Sequence, residues 1–385
     1  MLGTSMAPVA LAFAVLTTLH GSTTDVGLVL LARQVPVIAL LLIGGVWADR
    51  LPRHRVMVGS NVLSGLSQGA AAALLLTGTA SLWLIGALAA FNGASNAFFF
   101  PASTGIVPQT VHESLLQRAN STLRIALNGT QIAGAALGGL VVAAAGPGWA
   151  IGVDAASFLA AALLTVRMRV RPAARDEMST MLADLREGWA DFWSRTWLWV
   201  IVLQFSCVLA VETGALDVLG PKIAKTHYGG AGWFGVILAA AVAGSLVSGA
   251  AMLRWHPQHM LRTASFGVFG LALPMLALAR PESAIVVTVA SFASGLGLGV
   301  FGVLWDTTMQ QEIPHERLSR LSAYDAFGSI SLTPVGLAAA GPVAAVIGFR
   351  TTLIGGALVV VIATAAVFAS RDVRQLSRRM LAPET

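Results

Sequence analysis

The feature that most constrains this chain is the recurrence of apolar stretches of about 18 or more residues along its length. A helix of about 20 apolar residues crosses the hydrocarbon core of a bilayer. A soluble core could not cover so many helices that are apolar on every side. Of the 385 residues, 56% are hydrophobic and only 11% are charged. The sequence therefore predicts an all-α membrane protein.

Twelve such stretches follow one another, and each is long enough to cross a bilayer as a helix. We predict spans at Leu2–Leu19, Gly27–Trp47, Val56–Thr77, Leu82–Val107, Ala119–Ala145, Trp149–Val166, Trp197–Leu219, Ala231–Leu253, Thr263–Ala279, Ala284–Trp305, Ser322–Ile347 and Thr351–Ala369. An even number of crossings places both termini on the same side of the membrane.

The basic residues indicate which side that is, because lysine and arginine are enriched in cytoplasmic loops. A short, strongly basic turn, Gly44–Arg55, separates the second and third spans. Of the 24 basic residues, 18 fall on the side of this turn, and the other six are Lys222, Lys225, Arg280 and Arg350 in the opposite loops and Arg33 and Arg124 inside spans. We predict a multi-pass protein of the cell membrane with both termini in the cytoplasm. The arginines are scattered over several loops, which disfavours a nucleic-acid partner.

The two halves of the chain carry matching features at a nearly constant offset. Gly44 and Gly249 each precede a basic loop, and Pro108 and Pro314 each follow an Ile or Val near a later loop. Duplicated six-helix units are a transporter architecture. The predicted domains are an N-terminal six-helix lobe (residues 1–166), a C-terminal six-helix lobe (residues 197–370) and a cytoplasmic tail (residues 371–385).

Between these lobes, residues 167–196 form the one long polar stretch of the sequence. Its apolar residues recur at helical spacing with charged residues interleaved, which predicts an amphipathic helix on the cytoplasmic surface. The apolar positions are Leu182, Leu185, Trp189, Phe192 and Trp193. The helix either tethers the two lobes or regulates them.

The motif Gly45-x-x-x-Asp49-Arg50-x-x-Arg53 between the second and third of twelve spans resembles the signature of the major facilitator superfamily. The chain departs from that signature at Pro52 and His54, where glycine and a basic residue are usual. The form Ala-Asp-Arg-Leu-Pro-Arg, together with Trp305-Asp306-Thr307-Thr308-Met309-Gln310, is similar to the branch that contains the enterobactin exporter and macrolide efflux proteins.

This resemblance implies a conformational latch made by Gly45, Asp49, Arg50 and Arg53. In it the Asp49 carboxylate accepts from amides at the start of a helix in the other half, which we place near Leu321–Ala323. If the basic loop only determined the orientation of the protein in the membrane, this would explain its arginines but not Asp49 beside them.

The resemblance also identifies two further motifs. Gly134, Gly138 and Gly139 in the fifth span match the antiporter motif, with Ala135 in place of its proline; close packing of small residues is the alternative explanation. The arginine of the fourth-span motif is replaced by Ala89, so a proton-coupling scheme that depends on that arginine does not transfer to this chain.

Charged residues inside spans are costly and usually functional. Glu212 is our candidate proton carrier, because burial favours the protonated form of a carboxylate; the alternative is a static ion-paired or hydrogen-bonded glutamate. Arg33 is a candidate counter-charge for Glu212 or for an anionic substrate, unless it reaches the outer surface. Asp154 is a third proton-coupling candidate, or an acid that only joins helices.

Polar residues on the fourth and fifth spans are candidates for the substrate cavity. Asn92 and Asn96 share one helical face, as do Asn128 and Gln131, and Arg124 lies about one turn into the fifth span. Their side chains would bind substrate or hydrogen-bond neighbouring helices.

The sequence contains no phosphate-binding loop, no metal-ligand spacing and no hydrolase motif, so we expect neither an enzyme nor a cofactor. We predict a monomeric secondary transporter that exports a lipophilic or amphipathic small molecule, a drug, macrolide or siderophore, in exchange for protons by alternating access. The alternatives are an importer or facilitator of the same fold for a polar solute, and a membrane scaffold or sensor that transports nothing.

Overall fold

A computed structural model describes residues 2–50, 52–110, 116–168, 181–255 and 257–376, and the elements in them are helices. Two segments are π-helical: π1, Ala14–Thr18, and π2, Gly214–Leu219. The α-helices are α1 Leu2–Phe13, α2 Thr23–Arg50, α3 Arg53–Thr77, α4 Leu82–Thr110, α5 Leu116–Ala145, α6 Pro147–Val166, α7 Met181–Ser194, α8 Thr196–Thr213, α9 Gly220–His227, α10 Ala231–Ala251, α11 Met260–Val268, α12 Ala272–Leu278, α13 Ala284–Glu312, α14 His315–Ile330, α15 Thr333–Ile347, α16 Phe349–Val367 and α17 Arg371–Gln375.

Helices cover all twelve predicted spans. Within the described ranges, nine helical stretches are long and apolar enough to cross a membrane, and two shorter apolar ones cover Gly3–Thr18 and Gly129–Ala145. The remaining span is α3, which has 25 residues. Its lower hydropathy has a structural cause, because Ser60, Asn61, Ser64, Ser67 and Gln68 occupy its buried face.

Several helix ends differ from the prediction. The predicted turn Gly44–Arg55 is wrong as a turn, because α2 continues to Arg50 and α3 begins at Arg53, with Pro52 between them. Pro52 has no amide hydrogen, so it is accommodated where a helix begins. A helix that leaves the hydrocarbon keeps its internal hydrogen bonds, and hydropathy alone does not reveal how far it extends.

The seventh and eleventh spans also differ from simple rods. The seventh continues through π2 and α9 to His227, beyond its predicted end at Leu219. The eleventh is divided into α14 and α15 at Ser331 and Leu332. Pro334 lies in the first turn of α15, a position that tolerates proline. At the interruption, the Leu332 amide donates a hydrogen bond to the Ser206 hydroxyl at 3.3 Å.

The chain forms two compact units. Unit 1 contains residues 1–175 together with 216–239 and 337–346, and unit 2 contains residues 176–215, 240–336 and 347–385. The six-helix lobes predicted from the sequence duplication divide the chain differently and stay a prediction.

Unit 1 is held together by glycines that let helix backbones approach closely. Gly93 of α4 lies against the backbone carbonyl of Arg33 in α2, and Gly65 of α3 lies against Leu159 in α6. In a bilayer the hydrophobic effect does not drive helices together, because lipid tails are as apolar as the side chains. Close van der Waals packing at these glycines therefore stabilises the association of the helices.

Helix ends from the second half of the chain take part in the same unit. Gly27 of α2 touches the Leu337 carbonyl of α15, and Gly139 of α5 faces Gly235 of α10, where an added Cβ would lie 2.9 Å from the Gly235 Cα. We call the membrane face at which α3 begins the basic face, and the other the opposite face. In unit 1, the two halves of the chain therefore meet through helix backbones at the opposite face.

Unit 2 carries an aromatic ladder in its core. The Phe205 and Phe301 rings lie 4.2 Å apart, Phe301 and Trp305 lie 5.8 Å apart, and Trp305 meets Trp197 edge to face at 5.6 Å. Such pairs contribute about 0.5–1.5 kcal/mol beyond their burial. The ladder joins α8 to α13.

The predicted amphipathic helix is α7, and it packs on α14 in unit 2. Trp189 and Phe192 contact the Tyr324 ring at 5.8 and 6.0 Å. The Asp191 carboxylate lies 3.3 Å from Arg195 Nε and 3.5 Å from Arg317 Nη1. Whether α7 tethers or regulates stays open.

Candidate transport site

The first span of each half contains a π-helical segment, which ends the first span and lies within the seventh. In π1 the Leu19 amide donates to the Ala14 carbonyl, five residues back. A π-turn accommodates one extra residue, and such segments frequently occur at functional sites. The corresponding segment π2 begins at Gly214 and contains Asp217.

Asp217 belongs to a cluster of three charges inside unit 1. Arg33 of α2 interacts electrostatically with Asp154 of α6 and with Asp217 of π2. Arg33 and Asp217 are half-buried, whereas Asp154 is fully buried. An ionised group in a low-dielectric interior is costly unless charges of the opposite sign lie near it. The charge of Arg33 is therefore stabilised by the two carboxylates, and the charge of each carboxylate is stabilised by Arg33.

The Asp154 carboxylate is fixed on one side only. Its Oδ2 accepts a 2.7 Å hydrogen bond from Gln68 Nε2 of α3, and its Oδ1 is buried with no hydrogen-bond partner among the residues that the structure describes. Gly3 of α1 packs against this carboxylate, since an added Cβ would lie 2.5 Å from Oδ1. The same Cβ would lie 2.6 Å from the Asp154 Cα, so this backbone atom excludes a larger side chain at Gly3.

The sequence motifs did not single out Asp217, which lies two residues before the predicted end of the seventh span. The span continues ten residues beyond it, to His227, so Asp217 lies within the helical segment. An acid that follows Glu212 by five residues, about one π-turn, was the available signal.

The other proton-coupling candidates lie in different surroundings. Glu212 is half-buried near the end of α8 and belongs to unit 2, so its pairing with Arg33 stays a prediction. Asp325 of α14 is another half-buried acid, and its carboxylate accepts hydrogen bonds from the Trp305 indole at 2.9 Å and from Ser329 at 3.3 Å.

The predicted cavity amides are only partly brought together. Asn96 donates from Nδ2 to the Asn92 carbonyl at 2.9 Å and to Asn92 Oδ1 at 3.1 Å. Asn92 is 1% exposed, beside the close contact between α2 and α4. Gln131 is exposed on α5. The side chains of Arg124 and Asn128 lie outside the described part of the chain. Substrate contact by these residues stays a prediction.

The predicted latch is described only in part. Arg53 is half-buried at the start of α3, whereas the surroundings of Gly45 and the side chains of Asp49 and Arg50 lie outside the described part of the chain. The location proposed for the receiving amides is wrong. Because α14 begins at His315, residues 321–323 are interior to it, and the amides at a helix start are those of its first turn.

The glycines of the antiporter-like motif make packing contacts. Gly134 is buried, Gly138 faces Met6 of α1, where an added Cβ would lie 3.0 Å from Cα, and Gly139 faces α10. These glycines let α5 approach α1 and α10 closely. This is the packing explanation, and an additional role in exchange stays a prediction.

Comparison with known proteins agrees with this architecture. The family model described as Major Facilitator Superfamily matches residues 1–333. The multidrug efflux pump Tap of Mycolicibacterium fortuitum is 26% identical over 91% of this chain and 88% of its own length. The enterobactin exporter EntS of Salmonella choleraesuis is 27% identical over 89% of this chain and 84% of its own.

Solved structures show the same fold at low sequence identity. The nucleoside transporter NupG superposes with a TM-score of 0.70 at 13% identity, covering 96% of this chain and 97% of NupG. A bacterial homologue of the human lysosomal transporter Spinster, solved inward-facing and unoccupied, gives 0.68 at 15% identity, covering 99% of this chain and 98% of its own.

Proposed function

Because the chain belongs to the Major Facilitator Superfamily, we propose that it exports a lipophilic or amphipathic small molecule, a drug, macrolide or siderophore, in exchange for protons. Export is supported by its relatives, which are named as a multidrug efflux pump and as an enterobactin exporter. The basic face is the cytoplasmic one and both termini lie there, as the distribution of lysine and arginine indicates.

The observation that carries proton exchange is the charge cluster Arg33, Asp154 and Asp217. With both acids ionised, the cluster has a formal charge of −1, and one bound proton makes it neutral. A low-dielectric interior favours the neutral arrangement. The cluster is therefore suited to hold one proton in the conformation described here and to release it when the surroundings of Arg33 change.

Asp217 is the member best placed to exchange that proton. Asp154 is fully buried and fixed by Gln68, whereas Asp217 is half-buried and lies in an irregular helical segment. A change in π2 would move the Asp217 carboxylate relative to Arg33, and the acid would then bind its proton more weakly or more strongly. Glu212, on the same span, is the alternative carrier.

Alternating access supplies the remaining step. In unit 1, helix ends of both halves touch at the opposite face through Gly27, Gly139 and Gly235. A substrate that leaves to the outside requires these contacts to open, since a backbone-to-backbone contact leaves no passage. Opening would separate Asp217, which belongs to the second half of the chain, from Arg33 in the first.

Transport into everted membrane vesicles tests this proposal, with a cationic dye, a macrolide and a catecholate siderophore as probes. An exporter that exchanges protons accumulates at least one probe in vesicles with an acidic interior, and an ionophore that collapses the pH gradient abolishes the accumulation. Transport that ignores the gradient would indicate a facilitator. Absence of transport of all three probes, from protein that is folded and inserted, would contradict the proposal.

Substitution of the acids identifies the carrier. Asp217→Asn should abolish gradient-driven accumulation and retain downhill exchange, because an amide cannot release a proton. Glu212→Gln tests the alternative, and Glu282→Gln, at an exposed position between α12 and α13, is the matched control. If Asp217→Asn accumulates the probe like the wild type, Asp217 does not carry the proton.

A further inference from the structure

The first span ends in an unusual way. After π1, the Gly21 amide donates to the Val15 carbonyl at 2.8 Å, six residues back, and His20 adopts a left-handed backbone with φ 53°. Left-handed residues commonly terminate helices, where the last carbonyls lack helical partners. The end of this span therefore presents carbonyl oxygens for other donors.

A lysine from the second half of the chain binds one of these oxygens. Lys225 Nζ donates to the Leu16 carbonyl at 2.6 Å, across 209 residues of sequence. Leu16 is 3% exposed, and Lys225 is an exposed residue in the last turn of α9. An ammonium group at the C-terminal end of a helix is stabilised both by the charge-assisted hydrogen bond and by the helix dipole.

The hydrogen bond from Lys225 to Leu16 lies at the opposite face, where the glycine contacts between the two halves of the chain also lie. Lys225 and Leu16 belong to unit 1, as do the glycine contacts Gly27–Leu337 and Gly139–Gly235. Those contacts are non-directional, since they consist of backbone atoms in van der Waals distance. The hydrogen bond is directional and joins the end of the first span of one half to the end of the first span of the other.

We propose that Lys225 is a positioning residue of the transport cycle, which caps the Leu16 carbonyl of π1 and holds the opposite-face contacts closed. The proposal rests on the alternating-access mechanism proposed above. The bond involves neither acid of the charge cluster, so it can be removed while both carboxylates stay in place. Loss of the bond increases the fraction of protein that is open at the opposite face.

The test measures access to a buried reporter rather than transport. Val26 in the first turn of α2 is fully buried beside Gly27, and the native Cys207 is replaced by serine to leave Val26→Cys as the only thiol. Intact cells are treated with a membrane-impermeant maleimide, without substrate, and the labelling rate is followed by mass shift. The reporter reacts when the opposite-face contacts open.

Lys225→Met should raise the labelling rate about tenfold, the factor expected for loss of a charge-assisted hydrogen bond. Lys225→Arg should retain a rate close to that of the parent, because guanidinium can donate to the same oxygen. Lys222→Met is the matched control, because it removes the same charge from the same helix three residues earlier.

Equal labelling of the Lys225→Met and parent proteins would overturn the proposal, as would equal acceleration by Lys222→Met, which would indicate a general effect of surface charge. The measurement uses neither a substrate nor a proton gradient. A failure of the exporter proposal would therefore leave this result interpretable, and the reverse holds as well.

Discussion

Replacing Gly139 by alanine should shift the protein away from the conformation described here. An alanine Cβ would lie 2.5 Å from the Ala231 carbonyl oxygen and 2.9 Å from the Gly235 Cα. Both neighbours are backbone atoms, so no side chain can rotate away. The helices α5 and α10 must separate by about 1 Å to restore ordinary van der Waals distance.

The size of the effect follows from the cost of overpacking. An added methyl group in a tight contact destabilises it by about 1–3 kcal/mol. The contact exists only while the opposite-face ends of α5 and α10 touch, so the cost falls on that state alone. The ratio of open to closed protein should therefore rise about 5- to 150-fold.

Labelling of Val26→Cys in the Cys207→Ser background measures this ratio. The matched control is Gly129→Ala on the same helix, where an added Cβ meets no atom within 4 Å. Both substitutions gain about 1 kcal/mol of helix propensity, so a comparison between them isolates the contact with α10. If Gly139→Ala labels at the Gly129→Ala rate, the contact does not limit opening and the reasoning is refuted.

Three further substitutions test individual contacts. Gln68→Leu should lower the free energy of unfolding by about 1–3 kcal/mol, because it removes the hydrogen bond to the buried Asp154 carboxylate; a melting curve unchanged in detergent would contradict this. Trp305→Phe keeps an aromatic ring but removes the indole donor to the Asp325 carboxylate, and should cost about 1–3 kcal/mol in the same assay. Arg195→Met removes the hydrogen bonds to Asp191 and to the Glu312 carbonyl, at 3.3 and 3.2 Å, and should make α7 more susceptible to limited proteolysis, whereas equal digestion would show that its aromatic contacts suffice.

Much of the fold could be predicted from the sequence because the signal for a membrane helix is local. Each of the twelve apolar stretches coincides with helix, and the amphipathic pattern of the linker correctly predicted a helix there. Helix ends were less predictable. Charged residues such as Asp49 and Arg50 are compatible with a helix that has left the hydrocarbon and with a loop, and composition does not distinguish the two.

The site was less predictable than the fold because its contacts join distant parts of the sequence. Arg33 was recognised from its cost inside a span, but its interaction with Asp217 depends on how π2 is placed. The bond from Lys225 to Leu16 involves a backbone oxygen, which every residue has, so no side-chain pattern announces it. Asp154 was identified, whereas its partner Gln68 was not, since an amide on a buried helical face resembles many others.

Three helices of the second half run through both compact units, and two of them are irregular near the point of passage. Unit membership changes between residues 215 and 216, within π2, and between residues 336 and 337, a turn after α14 gives way to α15. A continuous helix moves as one rigid element. A helix with an interruption, which we call a joint, can bend there through changes in a few backbone dihedral angles. The joint in the eleventh span costs little, because the Ser206 hydroxyl replaces a missing helical hydrogen bond. Engineering a continuous helix at either joint would thus be a route to a transporter arrested in one conformation, suited to selecting conformation-specific binders.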